Sequence, residues 1–159
     1  MLKISIHLTI AVFVATALVI LQTTASNLIW LSSADMPVSL QVGLTTYFSD
    51  LITMNYLDAL PVPQLQTAVP FFALIAVALF VAFFFARIGL NWIRISNRLA
   101  YSLAGGAAII GIVILMPLEF YNLDLLPGAR TFLGKMSLGA CGMASGFYFG
   151  SSLQERKSQ

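Results

Sequence analysis

The sequence predicts an all-α fold: an integral membrane four-helix bundle with an amphipathic helical segment in the first outer loop. Hydrophobic residues make up 59% of the chain and charged residues only 9%, whereas a soluble domain carries about a quarter charged residues to face water. Four apolar runs each approach the roughly 20 residues that a helix needs to cross a bilayer. Between the first two runs, apolar residues recur at nearly helical spacing. Lipid is therefore the expected solvent for most of the protein.

The four predicted spans and their connections occupy nearly all of the 159 residues, so we expect a single membrane domain, residues 1–159. The spans lie at about residues 4–24, 67–87, 99–118 and 131–151, and the outer segment at 25–66. The alternative for the first run is a cleaved signal peptide, because Lys3 precedes it and the small residues Thr24, Ala25 and Ser26 follow it. Signal-peptide cores hold only about 7–15 apolar residues, and this longer run favours an uncleaved span.

The distribution of lysine and arginine predicts the orientation of the chain. Arg130 and Lys135 fall near one side of a four-span topology. The other six fall on the opposite side, namely Lys3, Arg87, Arg94, Arg98, Arg156 and Lys157. Because loops rich in Lys and Arg stay in the cytoplasm, both termini are expected there, in a multi-pass protein of the cell (inner) membrane.

The outer segment, residues 25–66, is predicted to contain a helix of its own. Between Val38 and Leu60 its apolar side chains recur near helical spacing, at Leu40, Leu44, Phe48, Leu51 and Leu57. Such an amphipathic helix would lie along the membrane surface or against the bundle. Its charges are acidic, so attraction to anionic lipid would not hold it there. Pro61 and Pro63 are expected to end the helix before the second span.

Small residues repeat every four positions in the third and fourth spans. Span three carries the line Ala100, Ala104 and Ala108, and span four carries Gly142, Gly146 and Gly150. Such spacing lets helix backbones approach closely in lipid. The pattern predicts helix packing, either within one chain or between copies of it.

Charged residues gather where spans three and four leave the membrane on the outer side. The cluster comprises Glu119, Arg130 and Lys135, with Asp124 close by in the sequence. Glu119 and Arg130 are predicted to form an ion pair that holds the loop at the interface, while Lys135 extends outward to reach water. The alternative is a site for an anionic headgroup or solute.

The chain carries no recognisable catalytic, cofactor-binding or metal-binding motif. The single cysteine, Cys141, excludes an internal disulfide. His7 has no Asp, Glu or Cys at helical spacing, so it is a poor candidate for a metal ligand. A net charge of +2 without a cluster of lysines and arginines gives no surface for nucleic acid. No catalytic residue, cofactor or metal is therefore expected.

The chain resembles a group of uncharacterised four-span inner-membrane proteins of proteobacteria. The residues that carry the resemblance are Asn27-Leu28-Ile29-Trp30 after the first span, the long outer segment, and Pro127-Gly128-Ala129-Arg130 before the glycine-rich last span. The resemblance implies the same topology and a bacterial inner membrane, and it implies no activity.

From these features we expect a small multi-pass membrane protein without enzymatic activity. It would be an accessory or self-associating component whose partners are the lipid bilayer and either further copies of itself or another membrane protein, contacted through the outer segment. A carrier or pore for a small solute, formed by an oligomer, is the first alternative. A membrane enzyme acting on lipid is the second, and it depends on Glu119, Arg130 and Lys135.

Overall fold

The computed structural model describes residues 2–55, 61–62, 67–68, 70–93, 95–119 and 126–155, and the fold in these ranges is α-helical. Its helices are α1 (Leu2–Ser33), α2 (Leu40–Asn55), α3 (Phe71–Gly89), α4 (Asn97–Glu119) and α5 (Phe132–Glu155). A 3-10 turn, Pro127–Ala129, precedes α5. Two short strands, β1 (Pro61–Val62) and β2 (Thr67–Ala68), pair antiparallel between α2 and α3.

Among the described residues, three helical stretches are long and apolar enough to cross a membrane. They are Ile4–Ser33, Phe71–Gly89 and Asn97–Pro117. Helix α5 has the length of a span, but its many glycines and serines and the charge of Lys135 make it less apolar. The predicted all-helical fold is therefore confirmed, and three of the helices have the length and apolar composition of membrane spans; the four-span bundle stays a prediction.

The long helices pack in a ring, in which α5 contacts α1 and α4 while α3 contacts α4 and α1. The term distal end is used for the end of the bundle at which α1 and α4 terminate. The opposite end is the proximal end. Buried apolar side chains fill the centre, among them Ile20, Ile75, Leu79, Ile109 and Leu138. Near the proximal end, Phe83 stacks on Phe149 with ring centroids 4.7 Å apart, and Tyr101 meets both rings edge-on.

Helix α1 continues nine residues beyond the predicted end of the first span at residue 24. It has 32 residues, or about 48 Å, against a hydrocarbon core of about 30 Å. It ends where Asp35 takes a left-handed conformation with φ 57° and the Met36 N–H reaches back to the Leu31 carbonyl at 3.2 Å. This geometry is a Schellman-type helix end, and Pro37 follows it.

Helix α3 begins at Phe71, four residues after the predicted start of the second span. Thr67 and Ala68 are instead paired with β1, and Pro70, at the N-cap, makes no side-chain hydrogen bond to the helix. The side chain of Asn55, the last residue of α2, takes the place of a cap. Its Oδ1 accepts a hydrogen bond from the Phe72 N–H at 3.0 Å, which satisfies a donor that a helix start leaves open.

Helix α2 lies against the distal half of α1, which is one of the two placements expected for the helix of the outer segment. The Thr24 hydroxyl donates to Asp50 Oδ2 at 2.7 Å, and the Tyr47 hydroxyl lies 3.5 Å from the Ala17 carbonyl oxygen. No residue within Leu40–Asn55 is fully buried. Polar contacts and half-buried side chains therefore hold α2 in place.

Candidate functional site: the distal polar layer

Uncharged polar side chains form a layer between α1 and α5 near the distal end. Gln22 Nε2 donates to Ser137 Oγ at 2.7 Å and lies 3.1 Å from Ser26 Oγ. The Ser137 hydroxyl in turn donates to the Gly134 carbonyl at 2.8 Å. In an apolar surrounding each such group needs a partner, so this network fixes the register of α1 against α5.

The turn Pro127–Ala129 is buried against both of these helices. Leu126, Gly128 and Ala129 are all buried, and a methyl group on Gly128 would overlap the Gln22 side-chain oxygen. An alanine at this position would therefore force the flexible Gln22 amide to move away from the turn. The Thr131 hydroxyl then caps α5 by accepting the Gly134 N–H at 3.0 Å.

Two buried polar atoms of the layer have no hydrogen-bond partner within the described part of the chain. They are Gln22 Oε1 and Thr23 Oγ1, and Thr23 is only 3% exposed. The neighbouring Thr24 is satisfied by Asp50. Sequence reasoning missed this layer because Gln22-Thr23-Thr24 resembles the polar end of a span. The signal that could have indicated it is the further apolar run Leu28–Leu31, which continues the same helix.

The charged cluster predicted at the distal end is described only in part. Arg130 is exposed directly after the buried turn, and Lys135 is half-buried in the first turn of α5. Glu119 is the last residue of α4, but its side chain lies outside what the structure describes, as does the whole of Asp124. The predicted ion pair between Glu119 and Arg130 stays a prediction.

The glycines of α5 lie directly on the backbone of α4. A methyl group on Gly142 would overlap the Gly105 carbonyl, and one on Gly146 would overlap the Tyr101 carbonyl. One on Gly150 would approach the Asn97 carbonyl oxygen to 2.7 Å. We call this interface the glycine seam. It joins two helices of the same chain, and the Ser102 hydroxyl strengthens it by donating to the Met143 carbonyl at 3.1 Å.

The predicted alanine line of α4 turns toward α3 instead. Ala100 and Ala104 line a groove of about 370 Å³ together with residues of α3 and the loop after it. Ala108, the third member of the line, is half-buried. The groove is almost entirely apolar, and its walls include Ala82, Phe85, Ala86, Gly89, Leu103 and Ala107.

The two isolated reactive side chains both contact a neighbouring helix. His7 Nδ1 lies 3.4 Å from the Tyr148 hydroxyl at the proximal end. The Cys141 thiol is directed at the Leu18 carbonyl oxygen, 3.7 Å away. Both contacts connect α1 to α5, so these side chains belong to the helix interface.

The chemistry of the described residues is mainly that of neutral hydrogen bonding. Within the described ranges, no group of three His, Cys, Asp or Glu residues comes together in a way that could hold a metal ion. The hydroxyls and amides of the distal layer bind to one another and to backbone carbonyls. No protein-family model, no curated protein and no solved structure matches the chain.

Proposed function

We propose that this chain is a non-enzymatic membrane component with four spans, both termini in the cytoplasm, that associates with a second copy of itself within the inner membrane. The fourth span of this proposal is α5. Its support is the glycine seam, which gives α5 the close backbone approach typical of paired helices in lipid. Lys135 suits this placement because it lies in the first helical turn, where a long side chain can reach the headgroup region.

A structural role is favoured by the way the polar side chains are used. Gln22, Ser102 and Thr24 each bind a group on another helix, and such bonds fix helix positions. A transport path would need polar groups that face a common channel. An enzyme would need a nucleophile or an acid–base pair within reach of a substrate.

The observation that carries self-association is the groove between α3 and α4. Six of its eleven lining residues are alanine or glycine, and such small residues let the backbone of another helix approach closely. A matching ridge is present on the same chain, since Phe80 and Phe84 of α3 are more than half exposed. In a two-fold symmetric dimer the ridge of each copy would lie in the groove of the other, as a self-complementary interface requires.

The test is resonance energy transfer between donor-labelled and acceptor-labelled copies in proteoliposomes of increasing lipid content. Ala107 is exposed and lines the groove, so Ala107→Leu should fill it and weaken association about tenfold, or roughly 1.4 kcal/mol. Ala144 is an exposed alanine of α5 outside the groove. The matched variant Ala144→Leu should associate like the parent. Energy transfer at the random-collision level in the parent would refute the proposal.

The same vesicles discriminate the alternative functions. If an oligomer forms a pore or carrier, vesicles containing the parent should release a trapped small solute. The rate of release should then fall in Ala107→Leu together with the association. The structural role predicts association without release. Turnover of the vesicle lipid by the parent would instead identify a lipid-acting enzyme.

A further inference from the structure

Helix α2 is fixed at the level of Thr24 in α1 and of the first turn of α3. Its Asp50 accepts the hydroxyl of Thr24, and its final residue Asn55 accepts the N–H of Phe72 in the first turn of α3. Both α1 and α3 are candidate spans. If α3 spans the membrane from Phe71, its first turn marks the level where the hydrocarbon core gives way to headgroups, and α2 is held at that level.

The surface of α2 is divided into three lines of residues. The line against α1 contains half-buried side chains, at Gly43, Tyr47, Asp50 and Met54. A second line, which we call the apolar row, is between 52% and 82% exposed and consists of Leu40, Leu44, Phe48 and Ile52. A third line, the polar row, is also exposed and consists of Gln41, Thr45, Ser49 and Thr53.

The apolar row lacks a partner within the described part of the chain, although it is as hydrophobic as a core. A soluble surface would not leave four large side chains in one line exposed to water. The lipid-facing surface of the bundle is close at hand: Leu21 and Ile29 of α1 and Phe72 of α3 are exposed apolar residues at the same end. The row thus continues a surface that lipid already covers.

The charges of α2 point to the same environment. Asp50 is the only charged residue in Leu40–Asn55, and its carboxylate is turned inward to Thr24. A helix that lies in the membrane interface needs an apolar face toward lipid and a polar face toward water, and no charged residue of α2 lies in the apolar row. Trp30, 58% exposed on the adjoining part of α1, is of the type that settles at the membrane interface.

We infer that the apolar row of α2 inserts among the acyl chains of the leaflet at the distal end, while the polar row faces water. The partner of this surface is a lipid bilayer, bound through its hydrocarbon and without preference for anionic headgroups. The inference is independent of the proposed self-association, because it needs only α1 and α3 as spans.

The test is spin-label accessibility in proteoliposomes of zwitterionic phosphatidylcholine. Cys141 is the only cysteine of the chain, so single labels are placed in a Cys141→Ala background. Leu44→Cys and Phe48→Cys report the apolar row, and Thr45→Cys and Ser49→Cys are matched controls one residue further on the polar row. Collisions with oxygen, which concentrates in lipid, are compared with collisions with a water-soluble nickel complex.

The expected result is an oxygen-to-nickel ratio severalfold higher for both apolar-row labels than for their neighbours. Equal ratios on the two rows, with free access of nickel, would show a helix standing in water and overturn the inference. Labels on the apolar row that are shielded from both reagents would show a protein contact and overturn it as well. Ile52→Cys and Thr53→Cys form a second pair, so the comparison survives if one label disturbs the helix.

Discussion

Gln22 of α1 donates a 2.7 Å hydrogen bond to Ser137 of α5, a residue 115 positions away in the chain. The bond joins two helices that share few other polar contacts at this level, and it lies beside the buried turn at Gly128. Hydrogen bonds of this type between membrane helices contribute about 0.6 kcal/mol on average and up to about 1.7 kcal/mol.

We therefore predict that Gln22→Ala and Ser137→Ala are coupled. Each single change should lower the free energy of unfolding in detergent, because it removes the hydrogen bond between the two helices from a partly buried site. The double variant should lose about 0.6–1.7 kcal/mol less than the sum of the two. Thr9→Ala is the control, since the Thr9 hydroxyl is exposed and bonds only to its own helix. Strictly additive losses would mean that the bond does not stabilise the folded protein.

The second prediction tests the glycine seam by adding a single methyl group to one of its glycines. Gly146→Ala should strongly destabilise the protein, because the new Cβ would overlap the Tyr101 carbonyl and push α5 away from α4. Gly111→Ala is the matched control within a helix, as nothing lies within 4 Å of a Cβ there. It should be neutral or stabilising by roughly 0.5–1 kcal/mol, since alanine favours helix more than glycine does. Equal melting temperatures for the two variants would place the glycine line on the lipid surface.

The charged residues at the distal end give a third prediction. If Glu119 and Arg130 form an ion pair, Glu119→Ala and Arg130→Ala should each lower the melting temperature, and the double variant should lose less than the sum. Lys135→Ala should have the smaller effect, because its charge can reach the headgroups.

An anion site would produce a different pattern in the same variants. Binding of an anionic lipid or solute would then need both Arg130 and Lys135, and Glu119→Ala would improve it. We expect coupled melting temperatures and unchanged anion binding in Arg130→Ala.

The proposed topology can be tested with reporter fusions. Fusions after Gln66 and after Leu126 should report the outer side, and fusions after Arg94 and after Gln159 the cytoplasm, because most Lys and Arg residues lie on the latter side. A cytoplasmic signal at Gln66 would remove the four-span arrangement.

The helices could be predicted from sequence because their apolar runs are long and few residues interrupt them. The end of α1 could not, because the polar run at Gln22–Thr24 resembles an exit from the membrane. The helix continues there while Ser137 binds the Gln22 amide nitrogen and Asp50 binds the Thr24 hydroxyl, and neither glycine nor proline occurs between Gln22 and Ser33. These hydrogen-bond partners of α1 come from distant segments of the chain, so the local sequence pattern of α1 does not predict them.

Sequence also does not predict which face of α4 contacts α5. The alanines at every fourth position and the glycines Gly105 and Gly106 are both compatible with close helix packing. Periodicity alone does not say which of the two sets faces α5. In the fold, the glycines take the closest approach because they have no side chain. The alanines Ala100 and Ala104 face α3, where a wider groove remains.

The long-range partners of α1 also bear on how the protein is made. Ser137, Cys141 and Tyr148, which bind Gln22, Leu18 and His7, all belong to α5 and follow their partners by 115 residues or more. At a synthesis rate of about 5–20 residues per second, Gln22 waits roughly 6–23 s for Ser137 to emerge from the ribosome. During biogenesis, α1 therefore resides in the bilayer or the insertion machinery with the Gln22 amide unsatisfied by α5, until the insertion of α5 supplies the Ser137 hydroxyl.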